Sequence, residues 1–301
     1  MGCRRNSHCN LKYSLMFVLC VSFIQTSYGE SKLDVRLNRR GCGVSEPMGR
    51  VYNGKSIRKP QIPWIVQIVM TLAGSQGYMC AGSIISQNVI LTAAHCVDHK
   101  PPPQEVLIYY NTTKSSSGPV ARVVRFMMHP DYDKYNAAKY DIALLKVRDK
   151  IRFDRFVRPI CLARRRFRTD GKQLMSGGWG TVNNREPPEF AKTLLYITFE
   201  GISQDKCDPI LRHAIGNLGG LDSKLALCAK TNSSSLCPGD SGAPFTMVRR
   251  NGKSVQVGVN SLGVSCDERG THVFSVRVDK FMPWITKTLR QPKRWRTIPA
   301  A

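Results

Sequence analysis

After residue 50 the chain alternates between short apolar runs and turn-forming residues. The runs are rich in β-branched side chains and are shorter than ordinary helices, so they predict β-strands. Apolar positions recur with a helical period only at 281–290, where we expect a C-terminal helix. The pattern therefore predicts an all-β protein that ends in one helix. The predicted strands are 64–70, 81–85, 89–91, 105–110, 120–127, 142–147, 193–199, 255–259 and 272–276.

The N-terminal residues have the organisation of a secretory signal peptide. Three basic residues precede an apolar run over 13–24, and a small-x-small cleavage site follows at 27–29. A membrane anchor is the alternative, but this run and every later one are too short to span a bilayer. We therefore expect residues 1–29 to be removed and the mature protein to be soluble and secreted, acting in the extracellular space without a membrane partner.

Cysteine usage indicates an oxidising compartment. Of the eleven cysteines, three lie within residues 1–29, so eight remain in the secreted chain. Eight cysteines outside the cell suggest four disulfides, although counting alone does not give their pairing. A metal site is the competing use of cysteine. Because no Cys-x-x-Cys pair occurs, we expect no metal ion and no cofactor.

The chain is strongly basic. Its formal net charge is +24, which becomes +21 once the three basic residues of the signal peptide are removed. Such an excess attracts polyanions, and outside the cell sulfated glycosaminoglycans are the expected partner rather than nucleic acid. Basic runs at 164–168 and 287–296 could form one anion-binding face. The simpler interpretation of each run is a solvated surface or tail.

Residues 237–243, Cys-Pro-Gly-Asp-Ser-Gly-Ala, place a nucleophile and backbone donors in one short loop. The hydroxyl of Ser241 could attack a carbonyl, and the amides of Gly239 and Ser241 could hold the oxyanion that forms. A serine nucleophile needs a base, and the base needs a group that orients it. His95, in Leu-Thr-Ala-Ala-His-Cys, and Asp141, in Asp-Ile-Ala-Leu-Leu, are the candidates for these two roles.

The order of the three residues along the chain is His95, Asp141, Ser241. Subtilisin-like enzymes have the order Asp, His, Ser, whereas α/β-hydrolases have Ser, acid, His. With all three motifs in this order, the chain resembles the trypsin/chymotrypsin family of serine proteases over roughly residues 42–290. The resemblance implies two antiparallel six-stranded β-barrels with a C-terminal helix, a linker near 151–168, and a triad in the cleft between the barrels.

The same resemblance implies the segment boundaries and the disulfide pairing. Residues 30–50 would form a pro-segment, 51–290 the protease domain and 291–301 a basic C-terminal tail. Three disulfides would lie within the protease domain, and a fourth would tie the pro-segment to it. The implied pairs are Cys80–Cys96, Cys207–Cys228 and Cys237–Cys266 in the domain, and Cys42–Cys161 for the pro-segment.

Arg50 and Val51 resemble a zymogen activation junction. Cleavage after Arg50 by a trypsin-like protease would free the ammonium group of Val51. That ammonium would pair with the buried carboxylate of Asp240, since a buried charge is tolerated only when it is paired. The pairing would order the amide of Gly239 and so complete the site. An ordinary surface arginine in a basic stretch is the alternative interpretation of Arg50.

The resemblance also implies residues that bind substrate. Ser261 and Gly263 lie in the segment that would bind substrate backbone as an extra strand, and Ser261 would hydrogen-bond Asp141. Ser235 forms the floor of the primary pocket, where trypsin-like enzymes carry Asp, so we expect a specificity that is not trypsin-like. His272 replaces a family Gly, and it would either fill part of the pocket or point away from it.

Two sequons, at Asn111 and Asn232, are candidate N-glycosylation sites. Taken together, the residues favour a secreted zymogen that becomes a serine endopeptidase and hydrolyses protein or peptide substrates. Protein protease inhibitors are further expected partners. The alternative is a catalytically weak or inactive homologue that serves as a module binding polyanions or proteins.

Overall fold

The computed structural model describes residues 32–45, 62–73, 77–133, 139–183, 186–215, 224–232, 236–263 and 272–298. These ranges lie within one compact unit, residues 31–301. The predicted signal peptide, the junction at Arg50 and Val51, and two predicted site residues, Ser235 and Cys266, lie outside the described residues. No helix in the described ranges combines the length and the hydropathy that a membrane span requires.

Six antiparallel strands from the first half of the chain close into a barrel. They are β1 (Ile65–Thr71), β2 (Gly77–Ile84), β3 (Val89–Thr92), β4 (Glu105–Tyr109), β5 (Val120–Met128) and β6 (Ala143–Val147). The strand order is β5-β4-β1-β2-β3-β6, and pairing between β5 and β6 closes the ring. Along β4 the buried Val106 and Ile108 alternate with half-buried neighbours, because successive side chains of a strand point to opposite faces.

The second half of the chain forms a second barrel. Its sheet contains β7 (Cys161–Leu162), β8 (Gln173–Gly178), β9 (Leu195–Gly201), β10 (Ala226–Lys230), β11 (Pro244–Val248), β12 (Ser254–Gly263) and β13 (His272–Arg277). The order is β11-β8-β9-β10-β13-β12, and β11 pairs with β12 to close the ring. The prediction of two closed, six-stranded antiparallel barrels is therefore confirmed. The short β7 adds a strand that the sequence did not predict, parallel to β12.

Two helices accompany the barrels. The C-terminal helix α2 (Val278–Leu289) confirms the prediction, whereas α1 (Gln204–Ile215) was not predicted. Helix α1 escapes the sequence pattern because it is polar and carries Pro209 in its interior, a residue that removes a helical hydrogen bond. Cys207 and Leu211 lie one helical turn apart and are buried, so this face of α1 packs against the second barrel.

The segment after α2 is not a free tail. We expected a basic tail from residue 291 onward, but Arg296–Thr297 form a strand, β14, which pairs with β5 of the first barrel. The side chain of Trp295 is buried, and its indole N–H donates to the carbonyl of Thr288, 3.1 Å away. Burial of the Trp295 indole stabilises the packed segment. This gain exceeds the cost of holding the neighbouring basic side chains, which stay hydrated, against the barrel.

The N-terminal segment 32–45 is attached to the second barrel. Its Cys42 forms a disulfide with Cys161. The amide side chain of Asn38 donates to the carbonyl of Leu162 at 3.0 Å and accepts from the Leu162 N–H at 2.6 Å. Gly43 in turn accepts a hydrogen bond from the N–H of Ser254 at 2.8 Å. The segment therefore behaves as an integral part of the fold rather than as a loose extension.

Candidate active site

Asp141 lies just before β6 and is buried. Its carboxylate accepts three hydrogen bonds: from the backbone N–H of His95 at 2.9 Å, from Nδ1 of His95 at 2.7 Å and from Oγ of Ser261 at 2.6 Å. Burial alone would raise the pKa of Asp141. The charge of His95 and these hydrogen bonds outweigh burial and lower that pKa. Asp141 is therefore ionised, and Nδ1 of His95 carries the shared proton.

His95 lies in the turn that follows β3. The neighbouring Cys96 is joined by a disulfide to Cys80 in β2, which limits the movement of the turn. Burial of the imidazole would lower its pKa, but the charge and hydrogen bond of Asp141 outweigh burial and raise the pKa of His95. With Nδ1 committed to Asp141, Nε2 is the ring nitrogen that can accept a proton.

Ser241 also lies close to this disulfide. Sγ of Cys96 is 3.9 Å from Nε2 of His95 and 3.7 Å from the carbonyl oxygen of Ser241. The Ser241 carbonyl also accepts from the N–H of Ala81 at 2.7 Å, which anchors the loop to β2. Its hydroxyl has no hydrogen-bond partner among the described residues. Hydrogen bonds between such groups are often long or absent before substrate binds.

Two glycines shape the loop that carries Ser241. Gly239 has φ of 99° and Gly242 has φ of 82°, in the region that favours glycine. A methyl group on Gly242 would lie 2.1 Å from Oγ1 of Thr92 and 2.3 Å from the carbonyl oxygen of Ala81. Any side chain at residue 242 would therefore displace the loop from the first barrel. The next residue, Ala243, is fully buried and has no positive φ.

Asp240, the residue before Ser241, is also buried. Its carboxylate accepts from the N–H of Gly180 at 2.8 Å and from the N–H of Cys237 at 3.0 Å. No described Lys, Arg or His pairs with it. Burial raises the pKa of Asp240 to about 6, although the two backbone donors partly oppose this shift. Val51, which we expected as its partner, lies outside the described residues.

Gly178 and Gly180 make room for the Asp240 carboxylate. A Cβ atom on Gly178 would lie 2.2 Å from Oδ1 of Asp240, and one on Gly180 would lie 2.5 Å from its Oδ2. Only residues without a side chain fit at these two positions. The sequence motif around Ser241 gives no signal for this requirement, because β8 and the residues after it are distant along the chain.

The residues expected to bind substrate are only partly brought together. Ser261 contacts Asp141, as described above, and Gly263 ends β12 in an exposed position. His272 begins β13, where it is paired across the sheet with Lys230. Burial and the charge of Lys230 lower the pKa of His272, which favours its neutral form. Because Ser235 lies outside the described residues, its placement relative to His272 stays a prediction.

Three disulfides are formed within the described residues. Their Cα–Cα separations are 5.0 Å for Cys42–Cys161, 6.2 Å for Cys80–Cys96 and 5.7 Å for Cys207–Cys228. Cys237 is disulfide-bonded as well, and its expected partner Cys266 lies outside the described residues. Cys80, His95 and Cys96 also place possible metal ligands within 4.8 Å of one another. Because both sulfurs belong to a disulfide, they cannot supply the thiolates that a metal would need.

Both sequons lie at the surface ends of strands. Asn111 follows β4 and has φ of 53°, a left-handed conformation that Asn tolerates better than most residues. The adjacent Thr112 is buried, and its hydroxyl is hydrogen-bonded to the carbonyl oxygen and the N–H of Lys114. Asn232 follows β10 and is exposed. Glycosylation at either position remains a prediction.

Asn260 is a positioning residue that sequence reasoning missed. Its side-chain Nδ2 donates to the carbonyl of Asp240 at 3.2 Å, and its backbone carbonyl accepts from the N–H of Gly242 at 2.8 Å. Its own N–H donates to the carbonyl of Ala243 at 2.8 Å. These three bonds hold the Ser241 loop from the side of β12. The only signal in the sequence was that Asn260 precedes Ser261.

Comparison with known proteins agrees with this geometry. A family model described as Trypsin matches residues 51–285. The chain is 27% identical over 271 residues to CLIP domain-containing serine protease B15 of Anopheles gambiae, covering 82% of this chain and 72% of that protein. It is 30% identical over 264 residues to Serine proteinase stubble of Drosophila melanogaster, covering 84% of this chain but only 33% of that much longer relative.

One relative carries a name that bears on activity. The chain is 26% identical over 263 residues to Inactive CLIP domain-containing serine protease A28 of Anopheles gambiae, covering 82% of this chain and 67% of that protein. Family membership therefore establishes the kind of protein without establishing turnover. Since the Trypsin match spans most of the sequence and the two closed barrels agree with it, the chain belongs to the trypsin family of serine proteases.

Proposed function

We propose that this chain is a secreted serine endopeptidase that is made as a zymogen and uses His95, Asp141 and Ser241 as its catalytic triad. The observation that carries the proposal is the Asp141 carboxylate, which is buried, accepts three hydrogen bonds and orients the imidazole of His95. This arrangement leaves Nε2 as the proton acceptor, and Sγ of Cys96 lies 3.9 Å from Nε2 and 3.7 Å from the carbonyl oxygen of Ser241.

In the proposed reaction, Nε2 of His95 takes the proton of the Ser241 hydroxyl as Oγ attacks the scissile carbonyl. The imidazolium that forms is stabilised by Asp141, and it then protonates the leaving amine. Water repeats the sequence on the acyl-enzyme, with His95 again acting as base and then as acid. The N–H groups of Gly239 and Ser241 would hold the oxyanion that forms in each step.

Activation is proposed to depend on Asp240. Cleavage after Arg50 by a trypsin-like protease would free the Val51 ammonium, which would pair with the Asp240 carboxylate. The support is that Asp240 is buried and raised in pKa, with backbone donors but no described cation beside it. A carboxylate in this environment is stabilised strongly by a cation that reaches it. The pairing would bring the Gly239 amide into the geometry that the oxyanion needs.

Substrates are proposed to be proteins or peptides whose residue before the cut is neither Lys nor Arg. The proposal rests on Ser235, which places a neutral hydroxyl where trypsin-like enzymes carry Asp, and on His272, whose neutral form is favoured by burial and by Lys230. Neither residue offers a carboxylate to a basic side chain, and the nearby Lys230 is itself paired with Glu200 at 3.6 Å. Protein protease inhibitors that present an extended loop to β12 are further proposed partners.

A fluorophosphonate probe tests the proposal directly, because it reacts only with a serine that is activated by its base. Full-length protein should be labelled after cleavage between Arg50 and Val51 and should remain unlabelled before it. Ser241→Ala should abolish the signal, whereas Ser275→Ala, which removes a buried hydroxyl that has no partner, should retain it. Absence of labelling in correctly cut protein would refute the proposed endopeptidase activity.

The second candidate function is a binding protein on a protease scaffold, with weak or no turnover. It is supported by the relative whose name is Inactive CLIP domain-containing serine protease A28. In that case cleavage after Arg50 would change neither fluorophosphonate labelling nor peptide hydrolysis, and ligand binding would be the retained property.

A further inference from the structure

A groove on the second barrel, which we name the cationic groove, contains none of the proposed triad. It has a volume of about 420 Å³ and lies where the N-terminal segment, the stretch around β7 and the turn between β11 and β12 meet. Every charged residue that lines it is a cation. These residues are Arg39, Arg40, Arg164, Arg165, Arg249 and Lys253.

Most of this charge is not neutralised by the protein itself. Arg39 lies 3.6 Å from a carboxylate oxygen of Asp34. Within the described part of the chain, no carboxylate pairs with the other five cations of the groove. Like charges that converge on one cavity repel one another, and the repulsion is relieved when an anion binds between them. The arrangement therefore favours an anionic ligand.

The groove is held in place by bonds on two of its sides. On one side, the Cys42–Cys161 disulfide and the paired hydrogen bonds between Asn38 and Leu162 attach the N-terminal segment to β7. These bonds position Arg39 and Arg40, which follow Asn38 directly in the chain. A charged surface on a fixed backbone loses less conformational entropy on binding than a flexible tail does.

On the other side, the turn between β11 and β12 presents two cations. The N–H of Arg249 donates to the carbonyl of Lys253 at 2.8 Å, which closes the turn. The guanidinium of Arg249 also lies 5.8 Å from the centre of the Phe167 ring, within reach of a cation–π contact. The exposed Arg249 therefore lines the groove beside Phe167.

A second cavity extends the charged surface. It has a volume of about 980 Å³, shares Arg164 with the cationic groove, and adds Lys287 and Arg290, whereas its Arg36 is paired with Asp34 at 3.1 Å. Its one acidic lining residue, Asp279, is bridged by Arg277 at 3.0 Å. Since the two cavities meet at Arg164, the positive surface is longer than a single small anion requires. A linear polyanion with charges along its length matches this shape.

We propose that the cationic groove binds a sulfated glycosaminoglycan chain. Arginine guanidinium groups bind sulfate-like oxyanions through two parallel hydrogen bonds and are weakly hydrated, so they suit such a ligand better than lysine does. The apolar floor formed by Leu162, Phe167 and Val255 can contact the C–H faces of sugar rings. The inference does not depend on catalysis by Ser241.

This site differs from the face that the sequence suggested, which combined 164–168 with 287–296. Four of the six cations of the cationic groove come from the N-terminal segment and from the β11–β12 turn. Neither segment was part of that expectation. Because Arg39 and Arg40 precede the proposed cleavage site and are tethered by Cys42, the groove would persist after activation.

The test compares two variants of the full secreted chain that lose the same charge. The groove variant carries Arg164→Gln, Arg165→Gln and Arg249→Gln. The control carries Lys150→Gln, Arg152→Gln and Lys192→Gln, three exposed cations outside the groove. The Kd for a fluorescent heparin fragment is measured by anisotropy at about 0.15 M ionic strength. The groove variant should bind roughly tenfold to a hundredfold more weakly, and the control within about threefold of wild type.

Several outcomes would overturn the proposal. Equal losses in the two variants would show that net charge, and not the groove, determines binding. Equal affinity for chemically desulfated heparin would exclude sulfate recognition. Tighter binding of a DNA duplex, with the same loss in the groove variant, would assign the surface to nucleic acid. Thermal unfolding of both variants checks that folding is intact, so that weaker binding reports on the groove alone.

Discussion

Two buried aspartates, one from each barrel, have pKa values that are shifted in opposite directions. Asp141 of the first barrel accepts three hydrogen bonds, two of them from His95, and its pKa is lowered. Asp240, in the loop of the second barrel, accepts two backbone hydrogen bonds and has no described cation beside it, so burial raises its pKa to about 6. Burial is nearly the same for both; the partners differ.

The two halves of the candidate site are held in different ways. The base is positioned through Asp141, which accepts hydrogen bonds from the N–H and Nδ1 of His95 in the first barrel and from Ser261 of the second. The nucleophile loop is positioned by glycines and by hydrogen bonds with Ala81 and Asn260, and among the described residues no cation pairs with its Asp240 carboxylate. The proposed activation requires this difference. In the uncleaved precursor His95 is already oriented by Asp141, whereas Asp240 has not yet received the Val51 ammonium.

The largest effect is expected from removing the charge of Asp141, which orients His95. Asp141→Asn keeps the shape but cannot hold the imidazole in the tautomer that accepts a proton at Nε2, so kcat of the activated protein should fall by about 10⁴-fold. Asp149→Asn, at an exposed position, is the control and should leave kcat unchanged. Peptide hydrolysis measures both. A fall of less than tenfold in Asp141→Asn would show that this pair does not carry catalysis.

The next largest effect is expected in the loop that carries Ser241. Gly242→Ala should destabilise the fold by roughly 3 kcal/mol or more, because φ is 82° and the methyl group meets Thr92 and Ala81. Gly252→Ala is matched in backbone, with φ of 74°, but has open space around it, and it should cost only about 1 kcal/mol. Denaturant unfolding compares the two. Equal losses would mean that close packing does not position the loop.

A pH experiment separates the two aspartates by sign. Folding raises the pKa of Asp240 from 3.8 to about 6, so the folded chain holds that proton more tightly than the unfolded chain. Its contribution is present at low pH and is lost as pH rises between these values, by roughly 3 kcal/mol. Asp141 has a lowered pKa, so its contribution is present near neutrality and is lost as pH falls below about 4.

The measurement is the unfolding free energy of uncut wild type minus that of Asp240→Asn, at about pH 4 and about pH 7. The difference should fall by roughly 2 kcal/mol between these pH values, because at about pH 4 the unfolded carboxyl is already partly ionised. After cleavage at Arg50, the Val51 ammonium should remove this dependence on pH. A difference that stays constant in the uncut protein would show that Asp240 is already paired.

The smallest effect is expected from Ser261, which supplies one of the three bonds to Asp141. Ser261→Ala removes a 2.6 Å hydrogen bond to the carboxylate, worth about 1 kcal/mol, so kcat should fall severalfold. Ser275→Ala, which removes a hydroxyl that has no partner from the adjacent strand, should leave kcat unchanged. A loss as large as that of Asp141→Asn would show that Ser261 acts directly on substrate.

The strands that the sequence predicted are those with long β-branched runs, such as β1, β5 and β12. The strands that it missed have weaker signals: β8 ends in two glycines, β10 is rich in Ala and β11 begins with Pro244. Their strand conformation comes from pairing on both sides within a closed barrel. Context of this kind overrides the intrinsic preference of a short segment.

The same division applies to the candidate site. The residue types and their order along the chain were sufficient to nominate His95, Asp141 and Ser241. The supporting residues, Asn260 and Gly180, carry no chemistry of their own and leave no motif. Their importance arises only where distant segments meet, and it could not be predicted from one sequence.

By itself, the sequence determined the class of fold, the family and the candidate chemistry, because strand periodicity, cysteine content and short motifs are local properties of a chain. The tertiary structure alone decided which carboxylate is ionised and which is raised in pKa, and where the cations of three separate segments converge. Those properties depend on burial and on distances between groups that are remote in sequence, and electrostatic interactions depend on both.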